Sequence, residues 1–337
     1  MKKTVFLAYI ALFISFLLPA VRLDRQAAPA RSDKPAATAG PLETPEAAPS
    51  PTPAAKGPGP SAPDQIKLLM ADGSVQTVDM QGYVAAVVAA EMPASFAPEA
   101  LKAQAVAART FAMYCAAGNK HGQADVCTDF ACCQAWTDEA SRRERWGDNY
   151  ELYWQKISSA AAETEGQYLS YEGAPVFAAF HSSSAGATED CGAIWGDTPY
   201  LVSVDSPESA RDVPNYISTL ECAPIDFRDT LLSACPEADF TGEAADWIGE
   251  IARDKSGRVQ SAVLGGVSVK GTTLRSLFSL RSTAFELSYA DGRFLFTVTG
   301  YGHGVGMSQY GAKVMAENGA DYVEILAHYY QGTVLVG

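Results

Sequence analysis

Residues 66–80, IKLLMADGSVQTVDM, alternate apolar and polar positions on either side of Asp72-Gly73. A period of two around an Asp-Gly pair predicts a β-hairpin. The pattern then changes. Residues 83–90 form a continuous apolar run that ends on one carboxylate, Glu91, and Met92-Pro93 breaks it. A second helical stretch opens at Pro98-Glu99, where proline suits the first helical position because its missing N–H would have no partner there. Lys102 and Arg109 in that stretch are close to two turns apart and share a face, so a carboxylate is expected to face a pair of cations. Trp146, Tyr150, Tyr153, Trp154 and Ile157 recur at helical spacing through 141–164, which predicts a helix with an aromatic core face. Residues 168–171 and 175–180 read as strands joined by Glu172-Gly173. Further on, 246–253 reads as helical, 259–264, 267–270 and 294–299 as strands, and 205–241 as polar and irregular. The expected fold class is α+β, one domain of mixed strands and helices over 65–337.

Two segments precede that domain. MKK is followed by an uncharged apolar run over 4–21, so 1–23 reads as an N-terminal transmembrane anchor, with a cleaved signal segment as the alternative. Residues 24–64 are rich in Ala and Pro with almost no bulky apolar side chain, and this composition predicts a disordered, extended spacer. Together they predict a cell-membrane location, single-pass, with the domain extracytoplasmic. The formal charge of −14 argues against nucleic acid as a partner, which would want clusters of Lys and Arg. With 47% hydrophobic residues the chain can bury a full core.

Candidate chemistry gathers at five places. Glu91 follows an apolar surface at a helix C-terminus, two features that disfavour the anion, while nearby cations would favour it; a carboxyl with opposed perturbers is a candidate general acid. Cys127, Cys132 and Cys133 fall within seven residues of one loop and are disulfide partners, metal ligands or buried small residues. Cys222 and Cys235 form a candidate disulfide by separation alone, and the odd total of seven cysteines leaves at least one out. His181, just past a strand and before Ser182, Ser183 and Ser184, is placed for a cleft, and no GxSxG elbow accompanies it. Glycines at high density surround His303, Ser308 and Gln309, ahead of a helix read over 308–317. His121 and His328 read as ordinary polar or core residues.

The stretches EMPASFAPEALKAQAVAARTFA, FHSSSAGATE, WGDTPYLVSVDSP and GYGHGVGMSQYGA, in this order, resemble the stage II sporulation protein D family, which includes the amidase enhancers. The resemblance implies a peptidoglycan lytic transglycosylase with a substrate groove, acting on strands already stripped of stem peptides during engulfment in endospore formation. It makes Glu91 the catalytic acid and places Lys102, Arg109, His181, Ser182, Ser183, Glu189, His303, Ser308 and Gln309 at the substrate. It implies glycan strands, a cell-wall amidase and the membrane scaffold of an engulfment complex as partners. The alternative is a non-catalytic glycan-binding enhancer of an amidase. The family's cysteine loop further implies a structural zinc near the glutamate. Cys132 stands here where the family has histidine, so the site, with Cys127, Cys132 and Cys133 as candidate ligands, either survives with a changed charge or is lost.

Overall fold

The computed structural model describes residues 59–337, so the expected anchor and most of the spacer lie outside the described residues. None of the described helices is long and apolar enough to cross a membrane. The chain enters through β1 (Gln65–Leu69) and β2 (Val75–Asp79), the antiparallel hairpin expected at Asp72-Gly73. Gly73 takes φ +84° there, and Asp72 Oδ1 accepts from the Ser74 amide and hydroxyl. Helix α1 (Met80–Glu91) follows, its first turn held by Asp79, which accepts from Gly82 N. It is apolar on nearly every side and accordingly buried.

Helix α2 (Pro98–Gly118) is the central post of this part of the molecule. Its alanines let α1 and α4 (Tyr150–Glu163) approach closely on one side, while α7 (Gln309–Glu317) and α8 (Tyr322–Tyr329) pack on others. The single helix expected over 141–164 is two: α3 (Glu139–Trp146) ends at Gly147, which takes φ +48°, and α4 starts after one 3-10 turn. Ile157 is a core residue as expected, with Trp146, Tyr153 and Trp154 packed against that core, and Tyr150 is buried beside Trp146. The strand expected over 175–180 is paired only at its ends. β4 (Tyr168–Tyr171) pairs β5 (Ala174–Pro175), and β6 (Phe180–His181) runs parallel to β13 (Met307–Ser308). Two short strands complete the first lobe: β3 (Val126–Cys127) beside β1, and β14 (Val334–Val336) beside β4.

Residues 217–299 build a second lobe around its own core, with Phe227 stacked on Phe294 at 3.8 Å between ring centres. β7 (Ile217–Cys222), β11 (Phe285–Ala290) and β12 (Arg293–Thr299) form one antiparallel sheet in the order β11-β12-β7. β8 (Ile248–Arg253), β9 (Val259–Leu264) and β10 (Val267–Lys270) form the other; α5 (Pro224–Leu232) and α6 (Gly271–Leu277) pack with them. The helix expected over 246–253 is therefore a strand, β8, preceded by a 3-10 turn. Cys222 and Cys235 are free thiols, and the disulfide suggested by their separation is not formed.

Candidate active site

Glu91 is the last residue of α1, half-buried where Pro93 stops the helix. The Ala135 amide donates to its Oε1 at 2.7 Å, and the Gln309 side chain is a second donor. Burial pushes the carboxyl above the ordinary carboxylate range, and these two donors, which favour the anion, oppose that shift. Gln309 is itself positioned from two sides. It opens α7 directly after the capping residue Ser308, and its amide lies 3.5 Å from the buried Gln104 of α2. One turn along α2, the Ala108 carbonyl accepts from Gln134, fixing the segment that delivers Ala135 to Glu91.

The cations are elsewhere. Lys102 and Arg109 share a face, as their spacing predicts, but that face is turned to α4. Lys102 pairs with Glu99 at 2.8 Å and Glu163 at 2.7 Å. Arg109 is fully buried and donates to Gln81 Oε1 and to the carbonyls of Ala161 and Gln167. Neither forms an ion pair with Glu91, because the sites that meet them come from the end of α4 and the turn after it.

His181 and Ser308 lie side by side through the parallel β6–β13 pairing. The His181 ring is buried, with Nδ1 3.2 Å from the Val305 carbonyl and Nε2 2.8 Å from Ser184 Oγ. A carbonyl only accepts, which assigns the proton to Nδ1 and leaves Nε2 as acceptor. Burial, with His303 and Arg258 nearby, holds this imidazole neutral. Its ring is 5.7 Å from that of His303, which is lowered to about 4 by burial and by Arg275. Ser183 is buried, Ser182 contributes its carbonyl to the Tyr310 amide, and Glu189 is buried against Arg258.

Two residues escape a reading of the sequence. Glu208, just beyond the Asp-Ser-Pro of the third motif, is buried and accepts from the Ser184 amide, the Ser206 hydroxyl and the Ser308 hydroxyl, tying three segments together. His121, read as an ordinary polar residue, reaches the cysteine loop: its Nε2 is 3.1 Å from Cys133 Sγ and 3.8 Å from Cys132 Sγ. One donor atom from each of His121, Cys127, Cys132 and Cys133 lies within 4.8 Å of the others. One imidazole and three thiols so clustered fit a four-coordinate zinc, with His121 as the fourth ligand beside the three cysteines. Burial holds the Cys127 thiol up at about 12, so a cation would release protons on binding.

A family model described as Stage II sporulation protein matches residues 71–171, the stretch from the first hairpin through Glu91 and the cysteine loop to β4. The Stage II sporulation protein D of Bacillus amyloliquefaciens is 39% identical over 264 residues, covering 77% of this chain and 74% of the relative. The chain belongs to the stage II sporulation protein D family. Its counterpart in Bacillus subtilis (strain 168) is 38% identical, covering 78% of this chain and 76% of that one. The family extends to an Amidase enhancer of the same organism, 28% identical over 73% of this chain and 39% of that longer relative.

Proposed function

We propose that this family member is a lytic transglycosylase that cleaves the glycan backbone of peptidoglycan in wall remodelling during sporulation. The observation that carries the reading is Glu91: a half-buried carboxyl with a raised pKa, held between two neutral donors and paired with no cation among the described residues. Such a group holds its proton to higher pH than an ordinary carboxyl, as a general acid requires. Glu91 protonates the glycosidic oxygen as its bond to the muramoyl anomeric carbon breaks. The C6 hydroxyl of the same muramoyl residue then bonds to that carbon and returns its proton to Glu91, giving a 1,6-anhydro end without water. One carboxyl serves both steps, so the second carboxylate of an ordinary glycosidase is not needed. Two carboxylates from the middle motifs lie in other settings: Glu189 is buried against Arg258, and Asp205 is exposed.

In this reading Gln309 and Ala135 N position the acid, and His181, Ser308 and Glu208 hold the segment that brings Gln309 to it. A zinc held by His121, Cys127, Cys132 and Cys133 would supply a structural cross-link for the loop that ends at Ala135. An N-terminal anchor would hold the domain outside the membrane, where a partner amidase strips stem peptides and an engulfment complex gathers the enzymes. The relative named Amidase enhancer supports a second reading, in which the chain binds strands and stimulates the amidase without cutting them.

Mass spectrometry of peptide-free strands incubated with the full chain and with Glu91→Gln separates the two. Anhydro-ended fragments from the wild type and at least a hundredfold fewer from the variant are expected, about the scale of a lost general acid. Binding without cleavage by either protein would leave the enhancer reading.

A further inference from the structure

With Lys102 and Arg109 taken up inside the first lobe, the cations beside the two histidines of the site come from the second: Arg258 and Arg275. Arg258 is 1% exposed, and its one charge contact is Nε to Glu189 Oε2 at 3.7 Å. None of its three guanidinium nitrogens has a hydrogen-bond partner among the described residues. That is unusual for a group that stays charged and whose donors are normally filled. Its guanidinium lies directly under the glycine-rich segment, since a Cβ on Gly304 would come within 2.5 Å of Arg258 Cζ.

Arg275, on α6, is half-buried. Its Nε donates to the Leu280 carbonyl at 3.3 Å, and the next carbonyl, that of Arg281, accepts from Gly302 N immediately before His303, which sets Arg275 beside the glycine-rich segment; no ion pair engages it among the described residues. Both guanidinium charges bear on His303 and disfavour its protonated form. The His303 ring is 4.8 Å from that of Trp195, which is 50% exposed, while Tyr301, 45% exposed, carries the Arg281 guanidinium over its ring at 4.5 Å. In a chain of net charge −14 this wall concentrates positive charge and unfilled donors beside one half-exposed indole.

We propose that Arg275, backed by the buried charge of Arg258, is a specificity-determining residue that binds a carboxylate on the substrate, the 3-O-lactyl carboxylate of a muramoyl residue. The assignment rests on the reading of glycan strands as substrate and adds the side chain that inspects them. A guanidinium fork matches a carboxylate in shape and charge. That carboxylate is free only where the stem peptide has been removed; where the peptide remains, the same carbon is a neutral amide. The exposed part of the Trp195 ring suits the apolar face of a neighbouring pyranose.

The test uses the full chain carrying Glu91→Gln, which holds strands uncut, and two probes: peptide-free strands, and the same strands with the lactyl carboxyl capped as its methylamide. Calorimetry should show the capped strands bound about tenfold more weakly, the scale of one charged hydrogen bond at a half-exposed site. Adding Arg275→Gln should remove the difference while leaving affinity for capped strands as it was, and Arg275→Lys should restore part of it. With Glu91 present, capping should raise KM and leave kcat unchanged. Equal binding of both probes, or a preference that survives Arg275→Gln, overturns the assignment. Discrimination without cleavage by the wild type keeps the carboxylate site and removes the lytic reading. Cleavage of both probes alike does the reverse, and binding of neither overturns both.

Discussion

At the scale of residues the proposed reaction turns on how long Glu91 keeps its proton. Burial raises its pKa while Ala135 N and Gln309 lower it, and as a general acid it works protonated, so activity is lost as pH rises through that raised value. Replacing Gln309 with Ala removes a donor that favours the anion. The alkaline limb of the kcat profile should then move to higher pH, which a pH–rate series on peptide-free strands measures; an unmoved limb would show that Gln309 does not touch the acid. The place of Glu91 at the end of α1 was legible because an apolar run and a proline break mark it. The partners of Lys102 and Arg109 were not, since spacing says which residues share a face and not which neighbour that face meets. His121 was missed for a related reason: it precedes Cys127 by six residues, outside the short intervals that mark a metal motif, and only the turn at the end of α2 brings it back to the cysteines.

Among the elements, the loop from Asn119 to Ala135 carries the most consequence, because it ends on the amide that holds Glu91. If His121, Cys127, Cys132 and Cys133 bind zinc, the purified chain should contain about one zinc per molecule by elemental analysis. His121→Ala should weaken zinc retention by about tenfold or more, and chelation should lower activity without unfolding either core. Zinc content unchanged in His121→Ala would restrict the site to the cysteines. Other elements show where periodicity misleads. Trp247, Ile248 and Ile251 have helical spacing, yet Trp247 ends the 3-10 turn and the two isoleucines belong to β8. Two register irregularities against β9, between Ile248 and Ile251 and between Ala252 and Arg253, break the period of two that would have marked a strand. The run over 175–180 looked like one strand because it is apolar, but its two ends pair with different partners.

On the scale of the whole molecule, two cores meet across a buried ion pair, Glu189 on the first lobe and Arg258 on the second. Burial, with Asp254 adding to it, raises the Glu189 carboxyl to about 7 despite Arg258. The folded state therefore holds this proton more tightly than the unfolded chain does. The stability it contributes is full below the ordinary value near 4.5 and is lost as pH rises through about 7. Melting temperature should fall between about pH 5 and pH 8, and the fall should be shallower in Glu189→Gln, as a calorimetric pH series would show; an equal slope in both would place the titration elsewhere. The two-lobe plan was hidden in the sequence, because 205–241 reads as irregular yet holds β7, α5 and the organising carboxylate Glu208. Both crossings between the lobes lie side by side: Ile217 pairs with Thr299, and Gly300 N donates to the Tyr216 carbonyl. The chain thus leaves and re-enters the first lobe at a single doorway. The second lobe is in effect a cassette, which recombination could exchange between relatives at two neighbouring cuts, replacing Arg258 and Arg275 while leaving Glu91 and its two donors intact.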